Sequence, residues 1–469
     1  MRHRYDLTIV GMGSAGMVAA ELAAQLPIKV AAVERDRVGG DCLWTGCVPS
    51  KALLASAKAA HTMRHADHYG LDPVEPRIDG ERVLARVRAI QQQLADTTDS
   101  PSVFTGEGVD LLEGAARLTG PTSLHVEGVG DVESRFVLIA TGGRPASPPI
   151  AGLEATGYVT SETLWDLEDL PETLISIGGG PIAIELSQAF NRLGVPTTVL
   201  QKGPGILPRD EPELVGRLVG ALREEQLDLQ LGVEVTRVEQ VGELKVVHGV
   251  QDGEQRTWRA HELLVGVGRT PNVEGLGLEE VGVVVGPGGI EVDGRGRTAV
   301  HSIYAAGDVR GGYLFTHAAG FEAARAVRNM FFPGSDSGDP QMPWATFTDP
   351  ELAHVGMTAA QARERHGDDA RVWRQELAAN DRARAESADR GLIVLVTVKG
   401  RLVGAHVLAP AAGEVIHELA LAIEQGMKLS DLAGLIHVYP TIAVGVQQIA
   451  SQASYASARR LGFLVRSRA

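Results

Sequence analysis

Along the N-terminal part of the chain, short apolar runs alternate with glycine-rich turns and with stretches whose apolar residues recur at helical spacing. That alternation predicts strands and helices wound into a parallel sheet. Tyr5 to Val10, YDLTIV, is short, apolar and partly β-branched, and predicts a buried strand. Gly11-Met12-Gly13-Ser14-Ala15-Gly16 follows, then a helix-like run from Met17 to Gln25, then a second strand from Lys29 to Val33 that ends in Glu34. The same order recurs later. Leu174 to Ile177 predicts a strand, Gly178-Gly179-Gly180-Pro181-Ile182-Ala183 a turn, Ile184 to Leu193 a helix, and Pro196 to Leu200 a strand ending at Gln201. The two units share a register, since 34 − 11 = 23 and 201 − 178 = 23.

Two further pairs of signals complete these units. Phe136 to Arg144, FVLIATGGR, and Leu263 to Arg269, LLVGVGR, each read as the closing strand of one unit, with Thr141, Gly142, Gly268 and Arg269 in their turns. Ser302 to Asp308, SIYAAGD, reads as a strand running through Gly307 into a small-residue turn. There Asp308 either brings a carboxylate close to a ligand or caps the helix that starts at Val309.

Strand, G-x-G-x-x-G and helix form a dinucleotide cradle. Gly11 allows the tight turn, Gly13 lets the backbone approach a pyrophosphate, and Gly16 lets the helix pack on the strand. Gly178, Gly180 and Ala183 occupy the same places in the second unit. Glu34 is placed to accept a hydrogen bond from a ribose hydroxyl, and Gln201 stands where that acid stood. Two such units imply two dinucleotides, of which the economical pair is FAD with NADP or NAD. Gln201 removes the repulsion an acid would exert on a 2′-phosphate, and Lys202 adds a positive charge, so NADPH is expected to be preferred or both coenzymes to be used.

The chain has only two cysteines, Cys42 and Cys47, within GGDCLWTGCVPSK. A disulfide this short closes almost no loop and adds little stability. A zinc site needs three or four Cys/His ligands. The pair therefore reads as a disulfide that opens and closes during a reaction. Pro49-Ser50-Lys51 reads as a helix start, and a thiolate at a helix N-terminus has a lowered pKa.

Composition narrows the class. At 469 residues more than one core is expected. Apolar residues make up 44% and charged residues 22%, the mix of a globular protein, and no apolar run is long enough to span a bilayer. The N-terminus carries no signal-peptide pattern, so a cytoplasmic location is expected, where a static disulfide is unusual. A net charge of −15 argues against nucleic acid as a partner. The 14 histidines show no metal spacing, and His354, His406 and His417 read as surface or helix residues. Arg382 to Arg390 reads as a solvated loop, and Phe332 to Gln341 as a linker.

GMGSAG, GGDCLWTGCVPSK, ATGGRP, GGGPIAIE, GVGRTPN and AAGD occur here in the order seen in the flavin-dependent pyridine nucleotide–disulfide oxidoreductases. The chain resembles that family over nearly its whole length, and is most similar to its mercuric reductase-like and dihydrolipoamide dehydrogenase-like members. The resemblance implies an α/β fold with two Rossmann-like domains and a C-terminal α+β dimerisation domain. Its expected boundaries are 1–147 and 271–340 for the FAD-binding parts, 148–270 for the NAD(P)-binding domain and 341–469 for dimerisation, with a helix near Gly413 to Gly426. It implies a homodimer whose active sites are shared across the interface. It also implies Cys47 as the flavin-side sulfur, Cys42 as the interchange sulfur, Lys51 beside the flavin, Glu185 as its acidic partner, and Ser14 and Gly40 near the flavin nucleotide. Pro181 departs from the tyrosine that many members carry there.

A second departure bears on the acceptor. Disulfide reductases of this family read H-x-H-P-T-x-x-E near the C-terminus, with the second His and the Glu forming the acid–base dyad. Aligned on Pro440-Thr441, this chain has His437 first, Tyr439 at the catalytic place and Val444 for Glu. A tyrosine is a poor base near neutral pH. Mercuric reductases carry tyrosine here too, although their second, C-terminal cysteine pair is missing. The expected activity is an NAD(P)H oxidoreductase acting on a metal ion or other non-disulfide acceptor. The alternatives are a disulfide or dithiol oxidoreductase, and an electron-transfer flavoprotein with little turnover of its own.

Overall fold

The alternation at the N-terminus becomes a strand, β1 (His3–Val10), that enters a glycine turn and then a helix, α1 (Ser14–Ala24). The next strand, β2 (Val30–Glu34), pairs parallel to β1, with Leu7 opposite Val30 and Val10 opposite Val33. The helix starts three residues earlier than its apolar run suggests, because it opens directly after Gly13. The computed structural model describes residues 3–334, 338 and 341–460. Half of the expected linker, residues 335–337 and 339–340, therefore lies outside the described residues.

The chain divides into two compact units. The first comprises residues 1–53, 79–170 and 262–339, and the second residues 54–78, 171–261 and 340–469. In the first unit, β1 and β2 are joined by β3 (Asp110–Glu113), β4 (Ala116–Gly120), β5 (Ser123–Val126) and β6 (Gly130–Ile139) in the order β3-β2-β1-β6-β5-β4. The strand Ile303–Ala305 lies parallel to the far half of β6. Alanine-rich α1 and the helix Thr316–Phe331 share an apolar core with one face of this sheet. Small residues let helix and sheet backbones come close there, which buries Leu7, Ile9, Ala19 and Ala323 completely.

The closing-strand expectation needs one correction. The strand from Phe136 ends at Ile139, and Gly143–Pro145 forms a separate strand. It pairs antiparallel with Arg269–Pro271, Thr270 facing Arg144. The two Gly-Arg turns assigned to different units are thus hydrogen-bonded to each other inside the first.

In the second unit, Leu174–Ile177, Thr197–Gln201 and Asp228–Leu231 form parallel neighbours, with the helix Pro181–Arg192 following the first. A three-stranded antiparallel sheet from Glu234 to Ala260 follows. The C-terminal part is a five-stranded antiparallel sheet covered by the helices Ala412–Glu424 and Val444–Arg460. Arg382 to Arg390 begins as a short helix, Asp381–Ala385, rather than as a loop. Among the described residues no helix is long and apolar enough to cross a membrane.

His354 and His406 were expected at the surface or on helices, but they are buried strand residues on adjacent strands. Their rings lie 4.6 Å apart, and His354 stacks on Trp344. Burial pushes both imidazoles down, to about 2 and about 4, so they fold neutral. In the unfolded chain they titrate near 6.5. Below that pH the unfolded state binds the extra protons, and acid weakens the fold. The melting temperature should fall between about pH 7 and 5, and fall less steeply in His406→Gln. Equal slopes for the two proteins would show that this pair does not carry the effect.

Candidate active site

At the end of β1 the backbone turns so tightly that side chains are excluded. Gly11 has φ +101°, and a Cβ there would lie 2.5 Å from the carbonyl oxygen of Ala140. A Cβ on Gly16 would lie 1.9 Å from the carbonyl oxygen of Gly11. Helix α2 (Gly40–Trp44) starts against the same turn, and a Cβ on Gly40 would meet Gly13 Cα at 2.6 Å. Helix α1 opens with no side-chain cap and no acidic residue in its first turn. Its free N–H groups and positive dipole end suit a pyrophosphate, so the turn fits the dinucleotide expected there. Glu34 sits at the end of β2 as expected. Its carboxylate also accepts the N–H of Met12 at 2.7 Å and those of Arg35 and Asp36 at 2.8 and 2.9 Å, which fixes the turn.

Helix α3 (Cys47–Arg64) begins at Cys47 itself, two residues before the proline that signalled it. The segment between the cysteines is tightly held. Asp41 accepts from the Thr45 hydroxyl, Trp165 Nε1 donates to Thr45 O at 2.9 Å, and Gln91 Nε2 donates to Trp44 O at 2.5 Å. Both cysteines are half-buried free thiols. The Cys47 sulfur lies 3.2 Å from the Thr316 hydroxyl, which opens its own helix.

The two thiols are chemically unequal. A hydrogen bond from Cys42 lowers the pKa of Cys47 to about 6, with Thr316 and the Lys51 charge assisting against burial. Cys42 is pushed the other way, first by donating that bond and then by burial, and the hydroxyls of Thr316 and Ser14 only partly offset this. The thiolate therefore resides on Cys47 and the proton on Cys42.

Arg269 joins distant parts of this site. It is almost wholly buried, donates through Nε to Asp308 at 2.9 Å and through Nη2 to Gly143 O at 2.8 Å, and lies 3.2 Å from Asp41. Asp308 is thus an ion-paired carboxylate in a short turn and not a simple cap, and burial raises its pKa against the pull of Arg269. The N–H of Gly307 goes to Glu322 at 2.9 Å. Thr141 donates to Asn272 O at 2.8 Å, and the N–H of Asn272 donates to the carbonyl of Gly142 at 3.0 Å. Gly268, in the left-handed region at φ +138°, precedes Arg269.

The second unit holds the remaining candidates. The helix Pro181–Arg192 also opens without a side-chain cap or early acid, after Gly178 at φ +126°, with Gly180 at its N-cap and Ala183 buried in its first turn. That opening fits a second pyrophosphate. The side chain of Gln201 lies over Gly179 and donates to Gly205 O at 3.2 Å. Lys202 is exposed and paired with Glu234 at 2.8 Å. Glu185, buried on this helix, accepts the N–H of Phe347 at 2.8 Å.

His437 and Tyr439 differ sharply. The His437 side chain is 4% exposed, with Nε2 3.1 Å from Glu418, so it is packed against that carboxylate. Tyr439 is 67% exposed, and its hydroxyl donates to Asp381 at 2.7 Å. Asp41, Thr316, Asn272 and Asp381 were missed by the sequence reading. Each lies outside the recurring motifs or was passed over as framework within one, and only the fold gives it a partner.

Residues 5–323 match the family model described as pyridine nucleotide-disulphide oxidoreductase, and residues 342–450 match the dimerisation domain of the same family. The chain is 36% identical over 459 residues to a dihydrolipoyl dehydrogenase from Thermus scotoductus, covering 95% of this chain and 96% of that one. It is 34% identical over 447 residues to a mercuric reductase from Lysinibacillus sphaericus, covering 94% and 81%. LpdA from Mycobacterium tuberculosis matches with a TM-score of 0.87 at 28% identity, over 96% of this chain and 99% of that one. A Cu(II) complex of the HOCl-induced flavoprotein disulfide reductase RclA from Escherichia coli matches with a TM-score of 0.84 at 27% identity, over 95% and 99%.

The inequality of the thiols can be measured directly. Ultraviolet thiolate absorbance of the reduced protein should rise with a midpoint of about 6. Cys42→Ala removes the hydrogen-bond donor and should move that midpoint upward. A wild-type midpoint near the ordinary cysteine value of about 8.5, or no movement in the variant, would contradict the assignment.

Proposed function

The chain belongs to the pyridine nucleotide-disulphide oxidoreductases, enzymes that use FAD and NAD(P)H, and from that premise we propose that it delivers electrons through Cys42 and Cys47 to a metal ion or another non-disulfide acceptor. When bound, FAD carries the two electrons of a nicotinamide hydride to the disulfide. The protein's own groups do the rest. Gly11, Gly13, Ser14, Gly16, Glu34, Gly40, Thr141, Gly142, Gly307 and Asp308 would hold the flavin nucleotide, with Arg269 fixing Asp308. Gly178, Gly180, Ala183, Gln201 and Lys202 would hold the nicotinamide nucleotide, with Gly268 in the turn nearby. Cys47 keeps the thiolate beside Lys51, Cys42 keeps the proton and meets the acceptor, and Glu185 is the acid assigned to Lys51.

The observation that carries the choice of acceptor is the state of the 437–439 segment. The histidine that remains has its side chain packed against Glu418, and the residue at the acid–base place is a tyrosine. Such a site suits an acceptor that needs electrons and a soft ligand more than a proton shuttle. The Cu(II) bound by the RclA relative points in the same direction. The matched dimerisation domain supports a homodimer. Leu435, Ile436 and Val438 are apolar and exposed beside Tyr439, as expected of a segment that another subunit covers. In that dimer Tyr439 would serve the disulfide of the partner subunit.

Purified protein should bind about one FAD per chain, and Cys42→Ser should abolish saturable NAD(P)H turnover; turnover that survives removes the disulfide from the path and favours the electron-transfer reading. In a panel of lipoamide, glutathione disulfide, Hg(II), Cu(II) and quinones, the two disulfides should be turned over slowly, by about 10²–10⁴-fold against an enzyme with a positioned acid–base. Installing the dyad with Tyr439→His and Val444→Glu should raise lipoamide turnover. Fast wild-type turnover of lipoamide would overturn the acceptor assignment.

Coenzyme choice depends on Lys202, which Glu234 already engages. Both coenzymes should be used, with NADPH at least equal to NADH. Releasing the lysine with Glu234→Gln should raise kcat/KM for NADPH over NADH by about two- to fivefold, the worth of an exposed pair. A tenfold wild-type preference for NADH would refute the reading of Gln201 and Lys202.

A further inference from the structure

Loss of the family's His–Glu dyad leaves a chemical gap. Cys42 retains its proton more firmly than an ordinary thiol. It must lose that proton as its sulfur binds a metal or attacks a bond. A lone tyrosine near neutral pH cannot take it. The position that supplied a carboxylate in the dyad is Val444, which has none.

The fold supplies a carboxylate from elsewhere. The Tyr439 hydroxyl donates to Asp381 Oδ2 at 2.7 Å. Asp381 opens the short helix Asp381–Ala385, far from Tyr439 in sequence. The neighbouring Asn380 makes the contact a built one. It is 1% exposed, its Oδ1 accepts from the N–H of Ala383, and its Nδ2 donates to Thr441 O at 3.1 Å and Ile442 O at 3.3 Å. One residue thus caps the helix and grips the backbone just beyond Pro440, while the next takes the phenol. Other charges near this pair are already engaged. Arg382 pairs with Glu386 along the same helix, and His437 pairs with Glu418. Arg384 lies on the exposed part of the helix, and Gln447, on the helix behind the segment, is neutral and donates to Leu435 O. Asp381 is the charged group that acts on the Tyr439 hydroxyl, and it holds the phenol proton in place.

We propose that Tyr439 and Asp381 form a proton relay that takes the proton from Cys42, a narrower task than the acid–base shuttling of the missing dyad, with Asp381 as the final proton acceptor. This rests on the reading of Tyr439 as the group serving the Cys42–Cys47 disulfide of the partner subunit, so the Cys42 of the relay is the partner's. In the relay the S–H bond of Cys42 breaks as an O–H bond forms on the Tyr439 oxygen. The original Tyr439 O–H breaks as one forms on the Asp381 carboxylate. One proton moves from Cys42 to Asp381, no electron moves, and a Cys42 thiolate is left to bind the acceptor. The reverse sequence reprotonates the thiol. Because the phenol hydrogen already points at Asp381, the oxygen lone pairs face outward to receive the incoming proton. Asp381 acts through Tyr439 and is a positioning and proton-storing residue.

The test uses the FAD-loaded full-length protein, reduced by dithiothreitol, and needs no knowledge of the acceptor. The rate at which iodoacetamide alkylates Cys42, located by mass spectrometry, is followed between about pH 5 and 9. Asp381→Asn keeps a hydrogen-bond acceptor for the phenol but cannot store the proton. It should slow alkylation near neutral pH about tenfold or more, with the melting temperature unchanged. Asp381→Glu should restore much of the rate. Tyr439→Phe should slow alkylation as much as Asp381→Asn, and the double variant no further, because the two act as one unit. If Tyr439→Phe slows the reaction while Asp381→Asn does not, or if the two effects add, the relay is overturned and Tyr439 acts alone. If Tyr439→Phe has no effect, the reading of Tyr439 fails and the relay falls with it.

Discussion

Everything at the candidate site depends on how closely backbones approach at the end of β1. A helix can present its free N–H groups to a phosphate only if nothing stands between its first turn and the strand that precedes it. Gly11, Gly16 and Gly40 meet that condition by leaving no Cβ where the nearest backbone atoms lie within 1.9 to 2.6 Å of its ideal position. Any side chain at these places would push α1 away from β1, or α2 away from both. Because α2 carries Cys42 and leads to Cys47, the spacing that makes a nucleotide cradle also sets where the sulfurs sit. Cofactor binding and redox chemistry share one steric constraint.

The same economy appears in the electrostatics. Cys42 and Cys47 are identical groups a few residues apart, yet one is driven to thiolate and the other holds its proton. The asymmetry comes from direction. Cys47 receives a hydrogen bond from Cys42, lies near the Thr316 hydroxyl and feels the charge of Lys51 one helical turn along, while Cys42 donates and is buried without a cation. Arg269 plays a comparable part on the other side. A buried guanidinium with two carboxylates and a backbone carbonyl around it locks the α2 segment to the Asp308 turn. Removing either carboxylate would leave a buried charge short of a partner, which is far costlier than losing a surface pair.

What could be read from the chain in advance follows from the range of the interactions. The two cradles were legible because strand, turn and helix are local, and their shared register left little freedom. The strand Leu174–Ile177 was placed to the residue. The cysteine chemistry was legible because two cysteines in one short frame exclude most other uses. Long-range partners were not legible. Nothing near Asp41 announces Arg269, nothing near Thr316 announces Cys47, and the pairing of the two Gly-Arg turns with each other depends on tertiary closure. His354 and His406 were misplaced because a polar residue in an otherwise apolar strand reads as an outward-facing position. Their strands are covered on both faces, so both alternations are buried.

The C-terminal segment bears on the acceptor we propose through its side chains rather than through its framework. The loop 435–442 keeps Pro440 and Thr441 and keeps a histidine at the first place, so its backbone needs no redesign. What changes is which side chains meet. His437 turns inward to Glu418, and Tyr439 turns outward to a carboxylate from another element. A histidine titrates near neutral pH and exchanges protons readily, whereas a phenol held by a carboxylate moves one only when both ends of the contact respond together. That behaviour suits a metal ion, whose binding itself drives the proton off sulfur. A disulfide exerts no such pull, so on the proposed reading the tyrosine favours the one acceptor and handicaps the other.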